Sequence, residues 1–204
     1  MKERGKFIVL EGGVGAGKST QEKLLRQELE GWEFYREPGG TAFGDLVRKA
    51  VQDEVSYEVH PYASLFAYTA SRANLIRGVV IPKIEQGINI LLDRYWYSTF
   101  AYQGAEGVSK PIIWAVNYIA TKGLNPNAVL HYELLPEIGK KRKQDCPDAD
   151  RYDLKGVEFH RKVRENYLIL KRLYPGIWRI IDASQPIPKV FSDSMEALRE
   201  RGIV

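Results

Sequence analysis

The stretch Gly12-Gly13-Val14-Gly15-Ala16-Gly17-Lys18-Ser19-Thr20 follows an apolar run at residues 7–10 and leads into the helical pattern of residues 20–25. It fits the pattern G-x-x-x-x-G-K-[ST], placed as required between a buried strand and a helix N-terminus. Four glycines let the backbone N–H groups point inward, and the positive end of the helix dipole favours an anion. The stretch therefore predicts a phosphate-binding loop. We expect Lys18 to reach the β- and γ-phosphates of a nucleotide and the Ser19 hydroxyl to ligate Mg²⁺.

Composition limits the remaining possibilities. A chain of 204 residues with 44% hydrophobic content is expected to form one domain over residues 1–204. It has no apolar run near the roughly 20 residues that span a bilayer and no signal-peptide core, so we expect a cytoplasmic protein without membrane contact. A single cysteine, Cys146, excludes a disulfide framework within one chain. The formal net charge of +4 suits an anionic partner.

Five short apolar segments alternate with helical patterns. This alternation predicts an α/β fold with a doubly wound, mainly parallel sheet and helices on both faces. The predicted strands are residues 7–10, 32–35, 88–93, 128–134 and 178–182, and the predicted helices include 43–53, 61–86 with a bend at Pro82, one ending near Gly123, and 188–201.

Two polar turns follow predicted strands. Residues 36–41, Arg-Glu-Pro-Gly-Gly-Thr, end the second strand, and Asp93 and Arg94 end the third. Carboxyl ends of parallel strands face the ligand crevice of an open α/β sheet. Asp93 could therefore hold the hydration shell of Mg²⁺ and Arg94 could meet a phosphate, although an Asp-Arg pair also forms plain structural ion pairs.

Other candidate side chains suit an organic ligand. Tyr68 and Arg72 are four residues apart, so they share a helix face, where a ring and a guanidinium could bind a flat base. The alternative is a buried tyrosine beside a snorkelling arginine. Residues 95–104 are rich in aromatic and hydroxyl groups, Ser98 among them, and could line a pocket for a ring. Arg48 lies in the helix predicted at residues 43–53, where a solvated surface arginine is the alternative.

Residues 136–154 are charged and contain few apolar side chains. They include Lys140-Lys141-Arg142-Lys143 and Asp150-Arg151. We predict a mobile loop that serves as a lid, because little holds such a segment against the core. A solvated face or a nucleic-acid contact is the other interpretation of this basic run.

The sequence resembles the bacterial thymidylate kinases. The resemblance extends in the family's order from residue 6 to about residue 190, through the phosphate loop, residues 36–41, Asp93-Arg94-Tyr95, Ala101-Tyr102-Gln103-Gly104 and Asp150-Arg151-Tyr152-Asp153. The segment at residues 36–41 is far more specific than the phosphate loop, which many NTPases share. The resemblance implies a P-loop kinase that transfers the ATP γ-phosphate to dTMP, with Mg²⁺, and that works as a homodimer.

The resemblance also implies roles for single residues. Carried over by position, it implies that Tyr68 stacks on thymine and that Arg72 meets the edge of the base. It implies that Arg48 and Arg94 bind the dTMP phosphate. Tyr102 would exclude ribonucleotides, and Gln103 would lie near the base. Glu37 belongs to the same substrate site. Some family members place the transition-state arginine in the phosphate loop and others place it in the lid. Because Gly15 occupies the loop position, we expect a lid cation among Arg142, Lys143 and Arg151.

The chain departs from the family pattern at three places. Val14 stands where the family carries an acidic residue that contacts the sugar 3′-OH. His131-Tyr132-Glu133 replaces a strand that usually ends in Asp. The lid also lacks the expected arginine spacing.

Two competing functions follow from the same residues. A deoxynucleoside kinase would need a carboxylate base, and Glu37 could serve; another nucleoside monophosphate kinase is a close variant. A non-catalytic P-loop protein that binds nucleotides or nucleic acid would use the basic run as its contact. We favour dTMP and ATP as the ligands, without nucleic acid.

Overall fold

The five predicted strands form one sheet, and all of them are parallel. In the computed structural model, which describes residues 3–52, 57–144 and 150–204, their order is β2-β3-β1-β4-β5. Their bounds are β1 Phe7–Gly12, β2 Glu33–Arg36, β3 Ile90–Asp93, β4 Ala128–Glu133 and β5 Trp178–Asp182. The α/β fold class predicted from the sequence is confirmed.

Helices cover both faces of this sheet. They are α1 Lys18–Glu28, α2 Ala42–Val51, α3 Pro61–Leu75, α4 Ile81–Glu85, α5 Trp96–Ala105, α6 Lys110–Thr121, α7 Pro136–Lys143, α8 Val157–Leu173 and α9 Ile187–Arg199. The helix predicted at residues 61–86 is α3 and α4, which a π-helical turn, Ile76–Val80, joins. This change of helix type lies directly before Pro82, which has no N–H to donate.

Two hydrophobic clusters explain why β1 is an unbroken apolar run. Phe7 and Val9 belong to the cluster on one face of the sheet, together with residues of α3, α5 and α8. Ile8 and Leu10 belong to the cluster on the other face, with residues of α1 and α9. A parallel strand covered on both faces needs apolar side chains at every position.

The predicted loop at residues 136–154 is wrong in its first half, because residues 136–143 form α7. Pro136 lies in the first turn, Glu137 lies at the positive end of the dipole, and four basic residues occupy the last turn. These choices favour a helix even without an apolar stripe. Residues 145–149, Cys146 among them, lie outside the described residues, as does residue 53, the end of the helix predicted from residue 43.

A buried histidine lies on the central part of the sheet. His131 in β4 is 2% exposed, and its ring contacts Tyr167 and Trp178 at centroid distances of 4.8 and 5.5 Å. Nδ1 has no hydrogen-bond partner among the described residues. Burial lowers the pKa of His131 to about 3, and the charge of Lys18 acts in the same direction. His131 is therefore neutral in the folded protein.

We expect His131 to make the protein sensitive to acid. The unfolded chain binds a proton at His131 below about pH 6.5, whereas the folded chain does not until about pH 3. Stability is therefore lost as the pH falls through this window, by about 1.4 kcal/mol per pH unit. His131→Asn removes the titrating group, so its free energy of unfolding should fall by about 2 kcal/mol less than that of the parent between pH 6.5 and 5.

Urea unfolding at several pH values measures this difference. His60→Asn is the control, since His60 is exposed and asparagine can replace it at the N-cap of α3. Parallel stability curves for His131→Asn and the parent would contradict the prediction.

Candidate active site

The predicted phosphate loop has the strand–turn–helix context that its pattern requires. It connects β1 to α1, and Gly15 and Gly17 adopt φ values of 62° and 79°, which favour glycine. Gly17 is the N-cap of α1, and Lys18 is its first residue. The first N–H groups of a helix have no partner within that helix, so they are available to an anion.

The charged groups of the third strand lie beside this loop. Leu10 of β1 pairs with Asp93 of β3, and the Arg94 N–H donates to the Leu10 carbonyl oxygen at 2.9 Å. Burial and the charge of Arg94 lower the pKa of Lys18 to about 8, while Asp93 and Glu11 oppose the shift. Lys18, Asp93 and Arg94 therefore form one electrostatic cluster at the loop.

Asp93 and Ser19 suit Mg²⁺, which needs few protein ligands, better than a metal ion that is coordinated entirely by side chains. Asp93 Oδ1 is buried and has no hydrogen-bond partner among the described residues, and Ser19 is exposed next to Lys18. Mg²⁺ typically takes one or two protein ligands and completes its shell with phosphate oxygens and waters. Within the described ranges no three His, Cys, Asp or Glu side chains are placed to hold a metal ion together.

A cavity of about 460 Å³ opens next to the loop. Seven of the predicted substrate residues line it: Glu37, Tyr68, Arg72, Arg94, Ser98, Tyr102 and Gln103. Arg48 is the exception among the predicted substrate residues; it is partly buried on α2 and does not line the described part of this cavity.

Arg72 is held more tightly than the sequence suggested. It is 3% exposed, and its guanidinium pairs with Glu37, donating from Nε to Oε2 at 2.5 Å. Nη1 donates to Thr99 Oγ1 at 3.0 Å and to Asn117 Oδ1 at 2.6 Å. Burial raises the pKa of Glu37 to about 7, and Arg72 opposes that shift. Arg72 is thus a buried, fully bonded group and not a snorkelling arginine.

Arg94 takes a backbone conformation that is uncommon for a residue with a side chain. Its φ is 69°. Nη1 donates to Ser98 Oγ at 2.9 Å, and the guanidinium carbon lies 5.2 Å from the centroid of the Tyr102 ring. The arginine therefore enters the cavity against an aromatic wall. Strained residues of this kind concentrate at functional sites.

Glu11 is a site residue that the sequence reasoning did not assign. It is 0% exposed, and it accepts hydrogen bonds from Tyr95 N (2.9 Å), Ser98 N (3.2 Å), Ser98 Oγ (2.6 Å) and Tyr167 Oη (2.8 Å). Burial raises its pKa, and the charge of Arg94 opposes that shift. A carboxylate that directly follows the apolar run at residues 7–10 was the available signal.

Residues 150–153 close one end of the cavity. Gln103 Nε2 donates to Tyr152 Oη at 2.8 Å, and Gln52 Nε2 donates to Asp150 Oδ2 at 2.5 Å. Arg151 donates to Ser64 Oγ at 2.7 Å. Sequence reasoning missed Asp150, Tyr152 and Asp153 as lining residues, although the one tyrosine within a polar segment was a usable signal.

The three predicted lid cations occupy different places. Arg142 Nη1 donates to the carbonyl oxygens of Gly15 at 3.3 Å and Ala183 at 3.0 Å. Lys143 Nζ lies 3.1 Å from Asp153 Oδ2. Arg151 instead contacts Tyr152, with its guanidinium carbon 4.6 Å from the ring centroid. Of the three, Arg142 contacts the phosphate loop.

Val14 does not line the substrate cavity in the described structure. It is 4% exposed and lines a second cavity of about 290 Å³ with His131, Pro136 and His160. Its side chain therefore faces β4 and the start of α7. The departure from the family at Val14 concerns the packing of the loop.

A phosphate loop that shares one sheet edge with a cavity for a second polar ligand is the arrangement of a P-loop nucleotide kinase. The sequence model of the thymidylate kinase family matches residues 10–193. Curated relatives named thymidylate kinase include those of Caldanaerobacter subterraneus subsp. tengcongensis, 39% identical over 97% of this chain and 96% of the relative, and Deinococcus radiodurans, 38% identical over 98% of both. A third, from Thermoanaerobacter sp., is 37% identical over 97% of this chain and 98% of the relative. The chain belongs to the thymidylate kinase family, and it is a phosphotransferase.

We expect Arg72→Ala to reduce stability as well as activity. The substitution leaves Glu37 buried without its partner, which typically costs about 3–5 kcal/mol. Adding Glu37→Gln should recover part of the loss, because no ionisable group remains uncompensated. Chemical unfolding of the two variants measures this.

The matched control is Arg26→Ala, which removes an exposed ion pair with Glu22 on α1 (2.7 Å) and a cation–π contact with Phe34 (4.2 Å) and should cost at most about 1–2 kcal/mol. An Arg72→Ala protein as stable as Arg26→Ala would show that the buried pair does not support the fold.

Proposed function

We propose that the protein transfers the γ-phosphate of ATP to dTMP, giving dTDP and ADP, within one domain formed by residues 1–204. The observation that carries this proposal is the backbone hydrogen bond from Arg94 to Leu10. It places Arg94, in the wall of the substrate cavity, against β1, the strand that leads into the phosphate loop, so the sites that we propose for the donor and acceptor phosphates are neighbours. Family membership supports the choice of dTMP.

On the donor side, we assign ATP to the loop of residues 12–20. Backbone N–H groups and Lys18 would neutralise the β- and γ-phosphates. Ser19 and Asp93 would hold Mg²⁺, which supplies further charge neutralisation between these phosphates. The buried, unpartnered Oδ1 of Asp93 supports this role.

On the acceptor side, we assign dTMP to the cavity of about 460 Å³. Tyr68 would stack on thymine, with Gln103 and Arg72 close to the base. Tyr102 would limit the space around the sugar, since its ring stands beside Arg94. Arg94 would bind the acceptor phosphate, held in place by Ser98. We assign Arg48 to the same phosphate on the resemblance alone.

The chemistry needs charge and position more than a base. The acceptor phosphate is already an anion, so no proton has to be removed before attack. Two polyanions must instead be brought together, which the cations Lys18, Arg94 and a lid cation would support. We propose that residues 136–154 act as the lid that keeps water from the γ-phosphate.

A monophosphate panel tests the proposed reaction. The protein is incubated with ATP, Mg²⁺ and one of dTMP, dUMP, dCMP, dGMP or thymidine, and ADP and the phosphorylated product are quantified. dTMP should be the best acceptor. Phosphorylation of thymidine in preference to dTMP would favour a deoxynucleoside kinase with Glu37 as base, because that carboxyl is buried and has a raised pKa.

For the lid cations, we expect Arg142→Ala to lower kcat by about 10³-fold or more, the usual loss when an arginine acting on a transferring phosphoryl group is removed. Lys143→Ala and Arg151→Ala serve as comparisons on the same segment. We expect the largest loss at Arg142 because it contacts Gly15 of the phosphate loop, whereas Arg151 lies beside Tyr152. Three mild effects, or a large effect only at Arg151, would refute the assignment.

We also propose that the protein acts in the cytoplasm. Among the described residues, no helix is both long and apolar enough to cross a membrane.

We further propose that the protein acts as a homodimer. Helix α3 packs between α2 and α6, and these three helices carry exposed large apolar side chains. They are Phe43 (48% exposed), Leu46 (65%), Phe66 (56%), Trp114 (49%), Tyr118 (56%) and Ile119 (67%). Exposed apolar surface of this extent is typical of interfaces.

We expect Phe66→Asp to convert the protein from dimer to monomer in sedimentation velocity, because it places a charge on the middle helix of this surface. Leu173→Asp, at the end of α8 and 61% exposed in the parent, should leave the dimer intact. A parent protein that sediments as a monomer at all concentrations would contradict the proposal.

A further inference from the structure

Two glycines bring the backbone of α7 into contact with the phosphate loop. A β-carbon built on Gly139 would lie 2.1 Å from the carbonyl oxygen of Val14. One built on Gly15 would lie 2.3 Å from the carbonyl oxygen of Gly139. Both clashes are with backbone atoms, so rotation of a side chain could not relieve them. The helix therefore lies on the loop at a distance that only glycine permits at both positions.

This contact lies close to the lid arginine. Arg142 follows Gly139 by three residues, so it is almost on the same face of α7. Its guanidinium reaches the Gly15 carbonyl oxygen at 3.3 Å. On its other side α7 is tied to later parts of the chain, by Glu137 to Arg161 at 2.7 Å and by Lys140 Nζ to the Asp153 carbonyl oxygen at 2.5 Å.

We propose that Gly139 is a positioning residue for phosphoryl transfer. Its missing side chain lets α7 dock on the phosphate loop, and this docking sets Arg142 at the transferring phosphate; the inference rests on the proposed function of Arg142. The same contact requires Gly15. An arginine in the loop and a lid helix docked in this way therefore exclude each other on steric grounds.

Val14 supports this docking. A β-carbon on Gly139 would also lie 3.2 Å from Val14 Cγ1, and the valine is 4% exposed. An apolar side chain at position 14 thus offers α7 a surface to pack against. An acidic side chain there would have to be desolvated beneath the helix.

The size of the effect follows from the distances. Ordinary van der Waals contact of a β-carbon begins at 3.4 Å, so an alanine at position 139 must move α7 away from Val14 by roughly 1 Å. A displacement of about 1 Å of a catalytic group can cost about 10²-fold in rate. Binding of dTMP should change little, because α7 does not line its cavity in the described structure.

The first experiment compares Gly139→Ala with Gly156→Ala. We expect Gly139→Ala to lower kcat by about 10²-fold, with the KM for dTMP within about threefold of the parent. Gly156 is the matched control, since a β-carbon there would meet nothing within 4 Å and its φ is −63°. A kcat for Gly139→Ala equal to that of Gly156→Ala would overturn the proposal.

A double-mutant cycle separates positioning from general damage. If Gly139 acts through Arg142, then adding Gly139→Ala to Arg142→Ala should lower kcat by no more than about threefold further. A second loss as large as that in the parent background would show that Gly139 acts independently of Arg142, and the proposal would fall.

Amide hydrogen exchange gives a readout that does not depend on the reaction. Protection of residues 136–143 should fall in Gly139→Ala and stay unchanged in Gly156→Ala. Unchanged protection in Gly139→Ala would refute the docking itself. Failure of the parent protein to phosphorylate dTMP would refute the proposed function, while the exchange measurement would still decide whether α7 docks through Gly139.

Discussion

A buried carboxylate at the end of the central strand organises the site. Taking such a charge out of water costs several kcal/mol, so it persists only where hydrogen bonds and an opposite charge offset the cost. Glu11 has both, with four hydrogen bonds from α5, its N-cap residue and α8, and the nearby charge of Arg94. The network fixes Ser98, and Ser98 in turn accepts a hydrogen bond from Arg94. Arg94, which has a left-handed backbone conformation, is therefore held at two points: its backbone N–H donates to Leu10 and its guanidinium donates to Ser98.

The same principle applies at the other side of the cavity. Arg72 and Glu37 form a second buried pair, and Thr99 and Asn117 accept hydrogen bonds from Nη1 of Arg72. These hydrogen bonds fix the orientation of the guanidinium, while Glu37 Oε1 has no partner among the described residues. Arg72 therefore joins helices α3, α5 and α6 in the wall of the cavity.

The fold and much of the cavity could be predicted from the sequence, because both depend on local patterns. The apolar strands, the glycine loop and the polar turns at strand ends are each visible in a few consecutive residues. The four-residue spacing of Tyr68 and Arg72 likewise placed both of them on one face, which lines the cavity. Helix α7 was missed because it has no apolar stripe, although Pro136, Glu137 and the basic last turn are local helix signals; its contact with the loop through Gly139 depends on tertiary structure. The sequence also left three equivalent lid cations, because only tertiary structure separates Arg142 from Arg151.

Val14 does not lie where the resemblance places a residue of the sugar site. A valine beneath α7 has no hydrogen-bonding side chain, so it cannot make the sugar contact that the resemblance implies for this position. An unpaired acceptor does lie in the cavity wall, since Glu37 Oε1 is buried there without a partner within the described ranges, while Oε2 binds Arg72. A buried acceptor without a donor costs about 1–3 kcal/mol, and a ligand that donates a hydrogen bond there removes that cost. The pKa of Glu37 is raised because its carboxylate is buried, and an ionised carboxylate with one unpaired oxygen is poorly solvated. The two buried carboxylates thus differ: Glu11 accepts hydrogen bonds at both oxygens, whereas Glu37 has one oxygen, Oε1, without a partner among the described residues.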